Sequence, residues 1–205
     1  MKLPPRLQTI CEMAPRGSVM VDVGTDHGHV AYRIGAIGSE KEFHRLPNRK
    51  DVVRVVANGL RGFRSVDVAI ITGMGPRPIL EILKAGPRPT EAIVHTPRGS
   101  HVLRAGLAAD GWRIQEERLA PENDAFAEII RIREGEEKHR GHALEFGPYL
   151  PKDPLCRAHA QERLSAWKAL LQQAPGHTQA HQRAKAWVEW LEELLERLPS
   201  SGSTD

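Results

Sequence analysis

The segment 19–29 constrains this chain more than any other, because it carries an apolar strand directly into a glycine-containing turn. Its residues read Val-Met-Val-Asp-Val-Gly-Thr-Asp-His-Gly-His. Glycine lets a backbone turn tightly and lets a ligand approach it closely. In an α/β sheet, a turn of this kind at the carboxyl end of a strand forms the floor of a nucleotide-like site. An ordinary strand-to-helix turn with an Asp-His cap is the structural alternative.

The spacing of the glycines excludes two common phosphate-binding motifs. Gly24 and Gly28 are four residues apart, which does not fit the Gly-x-Gly-x-x-Gly fingerprint of dinucleotide-binding proteins. The segment also lacks the Gly-Lys-Ser/Thr that a P-loop requires. What remains is most similar to the first motif of class I S-adenosylmethionine (SAM) methyltransferases.

Composition bounds the class of protein. The chain has 205 residues, enough for one medium domain with an appendage. Cys11 and Cys156 are far apart, which favours a reducing compartment over a disulfide framework or a zinc site. His27 and His29 have no third ligand nearby, so no metal site is predicted. No apolar run reaches membrane-spanning length and the N-terminus does not read as a signal peptide, so we expect a cytoplasmic protein.

Strands and helices alternate through the N-terminal part of the chain. Apolar runs predict strands, and a period of 3.6 residues predicts helices. The segment 35–48 fits neither pattern. The predicted strands are Ser18–Val23, Val52–Val56, Val66–Thr72 and Ala92–His95; the predicted helices are Leu3–Met13, His29–Ile34, Pro78–Lys84 and Val102–Ala109; and Trp112–Leu119 with Phe126–Ile132 form a closing hairpin.

This alternation predicts an α/β fold, namely a doubly wound, Rossmann-like methyltransferase sheet whose last strand runs antiparallel. Ligands bind beyond the carboxyl ends of the strands in such sheets. Four polar or glycine-rich turns fall at those ends, and we expect them to meet at one rim. These turns are Asp22–His29, Asn58-Gly59, Gly73–Pro76 and Thr96-Pro97.

From Asp153 onwards the pattern is helical only. Leu164, Trp167 and Leu171 share one helix face, and the helix after Pro175-Gly176 carries apolar residues at intervals of three and four, as in a coiled-coil seam. We therefore predict a C-terminal antiparallel helical hairpin, which also offers a surface for a homodimer. The predicted division is a methyltransferase-like domain over 1–145, the hairpin over 146–199 and a disordered tail over 200–205.

Five short motifs, in order along the chain, resemble those of the TrmK-type tRNA (adenine-N1)-methyltransferases. Val-Asp-Val-Gly-Thr-Asp-His at 21–27 resembles the family's Asp-Ile-Gly-Ser-Asp-His, and Ile-Thr-Gly-Met-Gly at 71–75 resembles its Ala-Gly-Met-Gly-Gly. Ala-Asn-Gly-Leu at 57–60 stands where the family has Gly-Asp-Gly-Leu, and Thr-Pro-Arg at 96–98 where it has Gln-Pro-Asn. Phe-Gly-Pro-Tyr-Leu at 146–150 resembles the Phe-Gly-Pro-x-Leu that precedes its C-terminal hairpin.

The resemblance implies SAM-dependent methylation of adenine N1 in the D-arm region of tRNA, with the C-terminal helices engaging the tRNA. Attack by a ring nitrogen on a sulfonium methyl is in line, so positioning dominates catalysis, and the target base must be unstacked to enter. Asp26 is the candidate for stabilising the cationic product or removing a proton. The resemblance also assigns Gly73, Met74 and Gly75 to catalysis, and it assigns Asp22, Gly24, Thr25, His27, Glu40, Asn58 and Gly59 to the cofactor.

Several departures from the family pattern bear on the cofactor pocket. The segment before Asn58 is shorter than in the family and shows no clear strand to carry the acidic residue that binds ribose hydroxyls, a role left to Glu40 or Glu42. Asn58 itself replaces an aspartate. Pro76 replaces a glycine and removes a backbone N–H, and Arg98 replaces an asparagine.

A basic run between residues 41 and 64 fits either an RNA-binding surface or a solvated face. Phosphate contacts through such a run would make RNA binding strongly salt-dependent. Two further hypotheses stay open: a degenerate methyltransferase fold that has lost SAM and acts as an RNA- or protein-binding module, and a structural interaction protein that works through the hairpin. The basic residues are Lys41, Arg45, Arg49, Lys50, Arg54, Arg61 and Arg64, against only Glu42 and Asp51.

Overall fold

The computed structural model describes residues 3–25, 27–42, 44 and 50–199. Within them the strands are β1 (Met20–Val23), β2 (Ile37–Glu40), β3 (Arg54–Val56), β4 (Val68–Thr72), β5 (Glu91–His95), β6 (Trp112–Glu122) and β7 (Ala125–Glu134). The helices are α1 (Pro5–Met13), α2 (His29–Ile34), α3 (Pro76–Lys84), α4 (Ser100–Ala109), α5 (Gly141–Phe146), α6 (Cys156–Gln173) and α7 (Gln179–Arg197), with a short 3-10 turn at Leu150–Lys152.

The strands form one mixed sheet in the order β3-β2-β1-β4-β5-β7-β6. Strands β1 to β5 are parallel, and β7 and β6 close the sheet antiparallel. Strand β4 is buried through Val68–Ile71, as expected for a parallel strand with helices packed on both faces. The doubly wound, Rossmann-like prediction is confirmed. Because the strand order reverses between β1 and β4, the loops after these two strands form the switch point at which such sheets bind ligands.

The segment that sequence patterns did not place contains strand β2. It runs parallel between β1 and β3, so the expectation of no clear strand here was wrong. Strand β2 contains glycine and glutamate, which are depleted in strands, and this hid it from a propensity argument. The absence of a side chain at Gly38 is needed: a Cβ there would lie 2.9 Å from Cγ2 of Thr25, in the turn after β1.

Helices α6 and α7 form the antiparallel hairpin that the sequence predicts. Arg157, near the start of α6, donates a 2.9 Å hydrogen bond to the carbonyl of Leu195, near the end of α7. The rings of Trp167 and Trp187 stack between the two helices, with centroids 5.5 Å apart. Thr178 caps α7 by accepting the backbone N–H of His181. The apolar seam of the hairpin is therefore core, in agreement with its spacing.

A buried ionic network joins the sheet to the segment that leads into the hairpin. Arg104 of α4 is fully buried; its Nε donates to Oε1 of Glu117 at 2.7 Å, and its Nη2 pairs with Oε2 of Glu128 at 2.7 Å. Arg104 also donates to the carbonyl of Glu145 at 3.2 Å, and the N–H of Tyr149 donates to Glu117 at 2.9 Å. These bonds fix the positions of α4, β6, β7 and the chain around residue 147 relative to one another. The domain division at residue 145 stays a prediction, and the tail 200–205 lies outside the described residues.

Candidate active site

A cleft opens at the switch point of the sheet. Its volume is about 330 Å³, and its walls are the first turns of α1 and α2 and the loops after β1 and β4. Both loops follow buried parallel strands, so strand pairing fixes where they meet. The cleft brings together five of the residues that the resemblance assigns to the site: Asp22, Gly24, Thr25, His27 and Gly73.

Asp22 braces the turn that forms the floor of the cleft. Its side chain is buried and accepts a 2.8 Å hydrogen bond from Oγ1 of Thr25. Burial raises the pKa of this carboxyl to about 6, because the carboxylate loses solvation; the hydrogen bonds from Thr25 and from the backbone of Ala31 offset only part of that cost. Asp22 therefore changes charge close to neutral pH, at the centre of the candidate site.

The Asp22→Asn variant is expected to have a flatter dependence of stability on pH than the wild type. The folded pKa of Asp22, about 6, lies above its ordinary value of 3.8, so folding takes up a proton between these values. The stabilisation from this group is complete below pH 3.8 and is lost as the pH rises through 6. As the pH rises through this range, the free energy of unfolding of the wild type should fall by up to about 3 kcal/mol relative to that of the variant.

Urea unfolding of both proteins between pH 4 and pH 8 measures this difference. The matched control is Asp124→Asn, because Asp124 is exposed in the turn between β6 and β7. A difference between wild type and Asp22→Asn that does not change with pH would contradict a raised pKa for this carboxyl.

Gly24 allows the loops after β1 and β4 to approach each other. It has a φ of +75°, and its N–H donates to the carbonyl of Ser39 at 2.9 Å. A Cβ at this position would lie 2.5 Å from Cε of Met74. Gly73 also has a positive φ, of +78°, but a Cβ there would meet no atom within 4 Å, so its backbone faces open space. Gly75 is exposed and precedes the first residue of α3. The loops after β1 and β4 thus come close together at Gly24 and Met74, and at Gly73 the backbone itself faces the open space.

Pro76 does not weaken the site in the way that its missing N–H suggests. It is the first residue of α3, whose start lies two residues before the predicted Pro78. The N–H of a residue at this position has no partner within a helix, and the fixed φ of proline suits the position. The replacement of glycine by proline is therefore compatible with the local fold.

Three residues assigned to the cofactor lie on the rim but do not line the cleft. Glu40 ends β2, next to the loop after β1, and its backbone carbonyl accepts the N–H of Ala57 at 2.9 Å. Asn58, the residue after Ala57, is exposed. Gly59 is buried, and its carbonyl oxygen lies 3.5 Å from Oγ of Ser39. Pairing of β2 with β3 thus holds Glu40 and Asn58 near each other at the carboxyl ends of these parallel strands, where ligands bind. The candidate catalytic residue Asp26 lies outside the described residues.

Sequence patterns missed part of the cleft wall. The missed residues have no shared motif, because they come from separate elements whose approach depends on tertiary packing. The nearest indication in the sequence was the helical period of segment 3–13. It predicts the helix α1 but not that this helix contacts the rim of the sheet. The missed lining residues are Arg6, Leu7, Val30 and Thr72, whereas His29 belongs to the predicted turn Asp22–His29.

The predicted RNA-binding residues cluster at the β2–β3 edge of the sheet and in the loop that follows β3. Lys41 and Lys50 are exposed in the connection between these strands, and Arg54 is exposed in β3 itself. Arg61 and Arg64 are exposed in the following loop. Their role stays a prediction. The remaining two members of the basic run, Arg45 and Arg49, lie outside the described residues.

Two other classes of site were searched for in the described ranges. They contain no group of three or more His, Cys, Asp or Glu side chains that could hold a metal ion. None of their helices is both long and apolar enough to cross a membrane.

The parallel sheet, its strand order and the cleft at the switch point define a Rossmann-like α/β protein with a ligand site at the rim. A profile of the family described as TrmK, tRNA (adenine(22)-N(1))-methyltransferase, matches residues 35–196. The chain belongs to this family. It is also 28% identical over 184 residues to the tRNA (adenine(22)-N(1))-methyltransferase of Bacillus subtilis strain 168, an alignment that covers 75% of this chain and 76% of that protein.

Solved structures of related proteins share the fold. TrmK of M. capricolum in complex with S-adenosyl-homocysteine is 18% identical with a TM-score of 0.79, and the match covers 97% of this chain and 100% of that one. Sp1610 of Streptococcus pneumoniae in complex with S-adenosyl-L-methionine is 24% identical with a TM-score of 0.78, covering 95% of this chain and 100% of that one. Membership of the family favours the methyltransferase hypothesis over the degenerate-fold alternative.

Proposed function

We propose that this chain transfers a methyl group from SAM to N1 of an adenine in tRNA, at position 22 as the family description states. The observation that carries the proposal is the open cleft between the loops after β1 and β4. A degenerate fold that had lost its cofactor would have no need to keep this space free of its own side chains. Here glycine stands at the two positions where a side chain would narrow it, Gly24 and Gly73.

The residues present fit a nucleoside cofactor that carries an amino-acid group. Gly73 offers a bare backbone to the cleft, and Gly24 leaves room beside Met74. At the neighbouring strand ends, Glu40 would accept the ribose hydroxyls, and Asn58 would accept from the adenine amino group through its side-chain carbonyl. When bound, SAM supplies an electrophilic methyl on a sulfonium.

The protein contributes to this reaction by positioning the adenine and by excluding water. An in-line attack by N1 needs the base held at near-attack distance, which pre-organised walls provide. The loop Gly73–Gly75 is exposed next to the cleft and would form the slot that the unstacked base enters. Asp26 is proposed to stabilise the positive charge of the product base.

The remaining parts of the proposal concern the partner. Lys41, Lys50, Arg54, Arg61 and Arg64 are proposed to contact tRNA phosphates, which would make binding weaken steeply with salt. We propose that the protein works in the cytoplasm as an enzyme that acts on tRNA, and the two free cysteines support a reducing compartment. A homodimer through the hairpin stays a prediction.

The direct test incubates the purified protein with SAM and an unmodified transcript of a tRNA that has adenine at position 22. We expect 1-methyladenosine at that position, detected by mass spectrometry of the digested RNA and by a stop of reverse transcription. A transcript with guanosine at position 22 is the control. Binding of the tRNA without any methylation, and without binding of SAM in calorimetry, would instead support the RNA-binding alternative.

A further inference from the structure

Arg6 places a permanent positive charge in the wall of the cleft. It lies in the first turn of α1 and lines the cleft with Gly24, Thr25 and Gly73. Its side chain is 22% exposed, so the guanidinium is partly desolvated but still open to the cavity. Arg6 is the only lysine or arginine among the described residues that line this cleft. An anionic group of a ligand in the cleft would meet its charge there.

Glu122 holds Arg6 in a fixed position. The Nε of Arg6 donates to Oε1 of Glu122 at the end of β6, an ion pair between residues 116 positions apart in the chain. Within the described part of the chain, this is the only ion pair or hydrogen bond of the guanidinium. Among the described residues, the two terminal nitrogens of Arg6 thus have no acceptor, and they have the planar fork geometry that matches a carboxylate.

His95 does not compete with Arg6 as a cation. It is buried at the end of β5, and its backbone carbonyl accepts the N–H of Gly73 at 3.1 Å. Burial lowers the pKa of His95 to about 4, and the positive charge of Arg6 contributes to the same shift. The imidazole is neutral at neutral pH, which leaves Arg6 as the cation at this corner of the site.

We propose that Arg6 binds the α-carboxylate of the amino-acid part of SAM. This inference rests on the proposed function, since it requires SAM to occupy the cleft. The cofactor is favoured over an RNA phosphate because Arg6 shares its cavity with the floor residues Asp22 and Thr25, whereas the described residues predicted to contact phosphate do not line this cavity and are exposed at the β2–β3 edge and in the loop after β3. Arg6 thus selects for a cofactor that carries a carboxylate, and the ion pair with Glu122 keeps its fork oriented.

The test compares two ligands by calorimetry, without tRNA. S-adenosylhomocysteine carries the carboxylate, and 5′-methylthioadenosine lacks the amino-acid group. The Arg6→Gln variant is expected to bind S-adenosylhomocysteine about 10- to 100-fold more weakly than the wild type, as for loss of a charge-assisted hydrogen bond. Its affinity for 5′-methylthioadenosine should stay within about twofold, because that ligand has no group for Arg6 to bind.

Two further variants control for indirect effects. Arg16→Gln removes an exposed arginine that lines a different cavity, and it should change neither affinity. Glu122→Gln removes the anion beside Arg6 but keeps the guanidinium and leaves an amide oxygen that can accept from Nε, so it should weaken binding of S-adenosylhomocysteine less than Arg6→Gln does. Thermal unfolding of each variant verifies that it is folded.

The possible failures are distinguishable. If the wild type binds neither ligand, the proposed function fails and the inference falls with it. If the wild type binds S-adenosylhomocysteine but Arg6→Gln weakens both ligands equally, Arg6 only supports the wall, and the inference is overturned while the proposed function stands. If Arg6→Gln changes neither affinity but weakens tRNA in a filter-binding assay, the guanidinium binds an RNA phosphate and the inference is again overturned.

Discussion

Replacing Arg104 with methionine is expected to lower the free energy of unfolding by about 3–5 kcal/mol, because it leaves buried carboxylates without their cation. Burial alone would raise the pKa of Glu128, but Arg104, together with His159 and Arg163, more than offsets that and keeps the pKa below its usual range. Without Arg104, the one hydrogen bond that Glu117 would retain among the described residues is that from the N–H of Tyr149. Glu128 would retain Arg163, 3.7 Å away, and would lose its shortest ion pair.

Urea unfolding of Arg104→Met at several pH values measures both the size and the origin of the effect. Burial raises the pKa of Glu117 even beside Arg104. Without the cation, the folded pKa of Glu117 should rise further and that of Glu128 should move above the unfolded value, so the variant should be least impaired at acid pH and most impaired as the pH rises past neutral. The matched control is Arg197→Met, since Arg197 pairs with Glu193 on an exposed helix face, and such pairs contribute about 0.5 kcal/mol. A loss as small as that of the control would show that the network is not a major source of stability.

The Gly24→Val variant is expected to bind S-adenosylhomocysteine more than about 100-fold more weakly than the wild type, which corresponds to about 2.7 kcal/mol. A side chain here would collide with Met74, whose Cε lies 2.5 Å from the Cβ position. Either Met74 or the loop after β1 must then move. The loop lines the cleft and Met74 follows the lining residue Gly73, so either movement changes the shape of the cleft. A β-branched residue also strains a backbone with a φ of +75°. Calorimetric titration measures the affinity.

Gly35→Val separates the effect of strain from the effect on the cleft. Gly35 has a φ of +69° at the end of α2, and a Cβ there would meet no atom within 4 Å. Both variants should therefore lose stability from the strained backbone, whereas only Gly24→Val should lose the ligand. Equal loss of affinity in the two variants would mean that unfolding, and not the shape of the slot, weakens binding.

Strong local patterns allowed most of the fold to be predicted. Strands β4 and β5 are largely apolar runs between turn residues, and β1 is such a run with Asp22 within it. The hairpin of α6 and α7 was predictable because its apolar residues repeat every three or four positions. Strand β2 was missed because Gly38 leaves no room for a side chain against Thr25, a contact that no local propensity reports.

The parts of the candidate site that consist of glycine turns could be predicted from the sequence. The parts that depend on the packing of distant elements could not. Gly24 and Gly73 lie in turns whose sequence alone indicates a close approach to a ligand. Arg6 is brought to the same cleft by α1 and by an ion pair with Glu122 at the far end of β6. No spacing rule connects residues so distant in the chain, so this part of the site depends on the three-dimensional structure.

The short outer strand β3 also has a consequence for self-association. It has three residues, and Arg54 and Val56 are exposed within it. Natural proteins use very short, charged border strands to prevent two copies from joining into a continuous intermolecular sheet. This border of the sheet is therefore not expected to pair with a second copy of the chain, and strong salt should not convert the folded protein into ribbon-like aggregates through it.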